Sequence, residues 1–143
     1  NDEDVSDYIR TPEVSMAASN VSAIPEVRQF LFHTQQAIAE ENNVIMDGRD
    51  IGTVVLPNAQ VKIFLTASAE DRAKRRFDEL IEKGMDVKYE DILEDMKKRD
   101  FNDSNRDVAP LKPADDAVLI DTSGNTLEES VELLTNTVKE KLQ

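Results

Sequence analysis

The run Val61-Lys62-Ile63-Phe64-Leu65-Thr66-Ala67-Ser68-Ala69-Glu70-Asp71 decides the fold. Its first five residues are β-branched, aromatic or aliphatic around a single lysine, which predicts a strand. Ser68 followed three residues later by Asp71 resembles a capping box with Asp in place of Glu, and predicts a helix start. That helix runs from Arg72 to Glu82 and stops near Gly84. The same alternation recurs on both sides. Upstream, Val44-Ile45-Met46 before Asp47-Gly48 reads as a short buried strand, and Val54-Val55-Leu56 before Pro57 as a short extended piece or turn. Downstream, Tyr89 to Phe101 reads as a helix with Ile92, Leu93 and Met96 inward, Asn102 to Pro113 as a loop, and Ala117 to Asp121 as a third strand. Thr126-Leu127-Glu128-Glu129 is a capping box ahead of Val131, Leu134, Val138 and Leu142 on one face.

Further out, Thr11-Pro12-Glu13 and Pro25-Glu26 each open a helix, with a cap or proline first and an acid near the positive end. The first helix offers Val14, Ala17, Ala18 and Val21 as one face; the second offers Val27, Phe30, Leu31, Thr34, Ala37 and Ile38. Asn1 to Asp7 is polar and acidic and reads as an element cut mid-course. Strands separated by helices predict an α/β fold with a parallel sheet covered by helices.

Composition narrows the function. The 143 residues are 39% hydrophobic, enough for the core of one domain. No apolar run approaches the roughly 20 residues of a membrane span, and no secretory signal pattern is present. The absence of cysteine excludes disulfides, thiolate metal sites and cysteine nucleophiles, and fits a reducing cytoplasm. His33 alone excludes multi-histidine metal sites. A net charge of −13 disfavours nucleic acid and anionic lipid as partners. It leaves room for a small anion held where the eight arginines converge.

Three stretches carry chemistry. Asp47-Gly48-Arg49-Asp50-Ile51-Gly52-Thr53 follows a predicted strand, where open parallel sheets hold their ligands. Arg99, Asp103 and Arg106 share a face if the last helical turn persists, either as a surface ion-pair ladder or as a phosphate fork whose acid orients the arginines or holds a sugar hydroxyl. Arg72, Arg75 and Arg76 line one helix face, a cationic stripe suited to a polyphosphate or simply solvated.

Together these residues resemble the bacterial cytidylate kinase family, P-loop enzymes that move a phosphate from ATP to CMP or dCMP. The resemblance runs through Asp4-Val5, Ile9 to Val14, Pro25 to Arg28, Met46 to Pro57, Val61 to Ala67, Arg75-Arg76, Arg99-Asp100, Asp103 to Arg106, Val108 to Leu111 and Ile120 to Thr122. It implies a three-layer parallel sheet of the P-loop nucleoside monophosphate kinase type. It implies a single truncated domain: residues 1–42 the end of an acceptor-binding insert and its helices, 43–75 core strands, 76–99 a lid and 100–143 the rest of the core. By resemblance, Ser19, Arg28 and Asp50 surround cytosine. Arg28 would donate to the base's acceptors and Asp50 accept from its amine, a pattern uracil breaks. Arg49 and Arg106 would hold the acceptor phosphate, Arg99 and Asp103 reach the ribose or phosphates, and Arg75 close over ATP from the lid. Asp47 would help hold the Mg²⁺ that arrives on the nucleotide.

The family also opens on a strand and a G-x-x-x-x-G-K-[ST] loop. The four glycines here, Gly48, Gly52, Gly84 and Gly124, form no such loop. The resemblance therefore predicts an N-terminally incomplete fragment, inactive by itself, whose DGRD and VKIFL strands flank a gap. That gap would be filled by a separate segment or by self-association. Two other readings stay open: a non-catalytic pyrimidine nucleotide-binding module, and an acidic α/β interaction domain.

Overall fold

A computed structural model describes residues 3–6, 8–9 and 11–143; Asn1, Asp2, Asp7 and Arg10, with the parts of the sequence reading that fall on them, lie outside the described residues. The chain divides into two compact units. The first ends at Met46 and takes in Arg106–Val108; the second comprises Asp47–Asn105 and Ala109–Gln143.

In the first unit, α1 (Pro12–Ser22) and α2 (Pro25–Glu41) pack on each other. Both start as predicted, α1 with the Val14 amide donating to Thr11 Oγ1 at 3.3 Å and α2 with Pro25 in its first turn. The predicted inward faces are not buried. Val14, Val21, Phe30, Leu31 and Ile38 are all exposed, because two helices alone offer too little surface to enclose a stripe. Val44-Ile45-Met46 is also a correction: it forms no strand, and Val44 and Ile45 are exposed. A strand exists only with a hydrogen-bonded neighbour, and none is present for this run among the described residues.

The second unit begins with a π-helical turn, Ile51–Val55, where a turn or extended piece was expected. β1 (Ile63–Thr66) then pairs in parallel with β2 (Val118–Asp121), in the register Ile63 to Val118 through Thr66 to Asp121. A parallel pair needs a long crossover. Here it contains α3 (Ala69–Glu82) and α4 (Tyr89–Asn105), which pack together and bury Ala73 and Leu80. Phe77 and Tyr89 meet edge-on at 6.2 Å. At the amino ends of the strands Lys62, its side chain 8% exposed, binds Asp116 at 2.8 Å. At the carboxyl ends the Thr122 amide donates to the Thr66 carbonyl at 2.8 Å and the Ser68 amide to Ser123 Oγ at 2.8 Å. These ties fix the edge from which the site is built.

Helix α4 continues to Asn105, beyond the predicted end at Phe101. Asn105 Nδ2 caps the Phe101 carbonyl at 2.7 Å, and the Leu111 amide closes on the Asp103 carbonyl at 2.8 Å. α5 (Leu127–Lys141) carries the predicted capping box, but of its apolar face only Leu134 and Val138 are half-buried. In the sheet, Leu65 and Leu119 remain exposed. No helix among the described residues is long and apolar enough to cross a membrane.

Candidate functional site

The carboxyl ends of β1 and β2 lead into α3 and α5, and α3 carries three arginines, Arg72 one turn before Arg75 and Arg76. Spacings of three and four put Arg72, Arg75 and Arg76 on neighbouring parts of one face. Arg72 Nε donates to the Ala67 carbonyl at 3.0 Å, and its two terminal nitrogens form a fork on Asp100 of α4 at 3.0 and 2.6 Å. The hydrogen bonds to Asp100 raise the Arg72 pKa. Arg75 donates to the Thr122 carbonyl at 2.8 Å and the Asn125 carbonyl at 3.4 Å, which holds it against the turn after β2. Arg76 donates to Glu79 Oε2 at 2.7 Å, and Lys83 takes Glu79 Oε1 at 2.5 Å.

Arg49 and Arg99 face the same space. A cleft of about 360 Å³ is lined by Arg49, Arg72, Arg75, Arg76 and Arg99, with Glu79 and Asp100 as the acids and Met96 as the apolar residue. Because the last turn of α4 persists, Arg99 and Asp103 fall four residues apart on one face. Asp103, 5% exposed, accepts from Arg49 Nε at 3.0 Å and lies 3.8 Å from Arg99 Nε. Burial, and then the neighbouring Arg49 charge, lower the Arg99 pKa. Five guanidinium groups against two carboxylates make this a cationic pocket in a strongly acidic chain. Such a pocket attracts a multiply charged anion, because each charge-assisted hydrogen bond contributes about 1.5–3 kcal/mol.

The segment Asp47 to Thr53 reaches the cleft at Arg49, just ahead of the π-helical turn. The Asp50 carbonyl accepts from the Val54 amide at 2.9 Å and the Val55 amide at 3.3 Å, and its residue is buried. At Gly48 a Cβ would stand 2.7 Å from Ile51 Cγ1, so a larger residue there needs the Ile51 side chain to shift. Asp47 is exposed, and no group of three acidic or histidine side chains suited to a metal ion occurs among the described residues.

Of the residues singled out from sequence, Arg49, Arg75 and Arg99 line one cleft, with Asp103 bound to Arg49 beside it and Asp50 in the same unit. Ser19, Arg28 and Arg106 belong to the first unit. There Arg28 Nη1 donates to the Ser22 carbonyl at 3.2 Å and Ser22 Oγ to the Ser19 carbonyl at 2.8 Å, so Ser19 and Arg28 meet through Ser22. The sequence reading gave no role to Glu79 or Asp100. The local signal for Asp100 was its place beside Arg99; its partner Arg72 lies 28 residues away.

Comparison with known proteins identifies the family. The family model described as cytidylate kinase matches residues 1–140. A cytidylate kinase of Caldicellulosiruptor bescii is 60% identical over 127 residues, covering 89% of this chain and 56% of that protein. One of Carboxydothermus hydrogenoformans is 51% identical over 141 residues, covering 99% and 64%. One of Pasteurella multocida is 55% identical over 131 residues, covering 92% and 58%. The chain thus spans less than two thirds of the length of these relatives. With a match of that extent and an arginine-lined cleft at the carboxyl edge of a parallel pair, the chain belongs to the cytidylate kinase family.

Proposed function

We propose that this chain is the acceptor-binding and lid-bearing part of a cytoplasmic enzyme that transfers the γ-phosphate of ATP to CMP or dCMP. The complete domain would be a three-layer parallel sheet of the P-loop type, with residues 76–99 as its lid. The observation that carries the reading is the convergence of Arg49, Arg72, Arg75, Arg76 and Arg99 on one cleft in a chain of net charge −13.

In phosphoryl transfer the protein mainly positions groups and neutralises charge. Arg49 and Arg99, oriented by Asp103, would present their remaining N–H groups to phosphate oxygens, and the family resemblance assigns Arg106 to the acceptor phosphate. Arg75 and Arg76 of α3 would face the polyphosphate of the donor. Arg72 has its Nε on a carbonyl and its fork on Asp100, so it serves as a strut between β1 and α4. Ser19, Arg28 and Asp50 would read cytosine; the Ser19–Ser22–Arg28 linkage supports a shared role for the first two. Asp103 would accept from a ribose hydroxyl, or reach the phosphates through the arginines it orients. Mg²⁺ would arrive on the nucleotide phosphates; Asp47 would reach it through water.

The sequence holds no G-x-x-x-x-G-K-[ST], whose backbone and lysine cradle the donor phosphates in P-loop enzymes. The 143-residue chain alone therefore gives no turnover in a coupled ATP assay with CMP, and binds CMP weakly but in preference to UMP. Turnover by the purified chain, or equal affinity for the two nucleotides, would overturn the proposal. The preference for CMP also separates it from an interaction domain without a nucleotide site.

A further inference from the structure

The two acids of the cleft are held in different ways. Asp100 receives both terminal nitrogens of Arg72, whose Nε is bound to the chain at Ala67. That pair is braced and joins two elements. Glu79 is different. It sits on the same helix as its partner, 41% exposed, with one oxygen on Arg76 at 2.7 Å and the other on Lys83 at 2.5 Å. Lys83 lies outside the cleft lining. Glu79 can therefore release Arg76 and stay paired, since its second partner is already in contact. A partly exposed pair three residues apart on a helix, its side chains 25% and 41% exposed, is also weak enough to be outcompeted.

We propose that Glu79 is a displaceable internal counterion for Arg76, holding that guanidinium until a polyphosphate takes its place. The inference rests on the reading of the cleft as a polyphosphate site. It assigns Glu79 a role opposite to that of a ligand-binding residue: the carboxylate sets the affinity of the cleft lower than its arginines would give, which favours release.

The test uses calorimetric titration of inorganic tripolyphosphate into the full chain at fixed ionic strength. Glu79→Gln is expected to bind about two- to fivefold tighter than wild type, the range that removal of an exposed ion pair permits. Glu82→Gln, an exposed neutralisation on the same helix and outside the cleft lining, measures the effect of net charge alone and is expected to give a smaller gain. In an Arg76→Gln background the gain from Glu79→Gln is expected to shrink to that of Glu82→Gln, the signature of direct coupling. Thermal melting of each variant checks that it is folded. A Glu79→Gln gain no greater than that of Glu82→Gln, or one that persists without Arg76, overturns the proposal while leaving the cleft reading intact. If wild type binds no tripolyphosphate, the cleft reading fails and this inference fails with it.

Discussion

Replacing Asp103 by Asn removes the negative charge between two guanidinium groups and keeps the side-chain volume. In the wild type, Asp103 Oδ2 accepts from Arg49 Nε at 3.0 Å with Arg99 Nε at 3.8 Å. A hydrogen bond between charged groups contributes about 1.5–3 kcal/mol, and removing one member of a fully buried pair costs about 3–5 kcal/mol. The carboxylate side chain is 6% exposed, but Arg49 and Arg99 are 37% and 33% exposed, so water takes up part of the freed charge. The lower range governs, and we expect a loss of about 1.5–2 kcal/mol. The substitution also leaves Arg99 beside Arg49 with no anion between them, and the Arg49 charge already lowers the Arg99 pKa. An added polyanion should fill that role. Urea unfolding followed by circular dichroism, at matched ionic strength with chloride or tripolyphosphate, measures both effects. The variant should recover more stability from tripolyphosphate than wild type gains. A loss under about 0.5 kcal/mol, or an equal response to the polyanion, would refute the view that Asp103 organises these arginines.

Other outcomes follow from the same geometry. Thr126→Ala breaks the capping box in which the Glu129 amide donates to Thr126 Oγ1 at 3.2 Å and the Thr126 amide to Glu129 Oε2 at 2.8 Å; it should cost about 1 kcal/mol, read as faster amide exchange in the first turn of α5. Gly84 has a φ of +74° with open space where a Cβ would stand, so Gly84→Ala should cost about 1 kcal/mol from backbone strain alone, seen as a lower urea midpoint. The Glu79 carboxyl is held at about 2 by its hydrogen bonds to Lys83 and Arg76, against an ordinary 4.5. A depressed folded-state pKa stabilises above the unfolded value and is lost as pH falls. Wild type should therefore lose more stability than Glu79→Gln between pH 4.5 and about 2, by under about 1 kcal/mol for so exposed a pair; equal acid sensitivity would contradict this.

Local signals carried most of the secondary structure. Thr11, Ser68 and Thr126 cap their helices through contacts three residues away, and such contacts are written in the sequence. The strand runs around Phe64 and Leu119 were legible for the same reason, their residue types favouring a pleated surface. Val44-Ile45-Met46 failed because a strand depends on a partner, and hydrophobicity does not report one. The end of α4 failed because Asn102, Asp103 and Ser104 are polar enough to read as loop; ties at Asn105 and Leu111 carry the helix onward. In the cleft, the arginines were visible as residue types with helical spacing. The Arg72–Asp100 fork and the Arg49–Asp103 bond join positions far apart in the chain, and only the fold brings them together.

Calorimetry of tripolyphosphate binding to the wild-type chain and to Arg49→Gln and Arg99→Gln most directly tests whether the arginine cleft is an anion site. The account predicts one salt-sensitive site, weakened about tenfold by each substitution, the equivalent of about 1.4 kcal/mol. No binding, or binding that neither substitution changes, would contradict it.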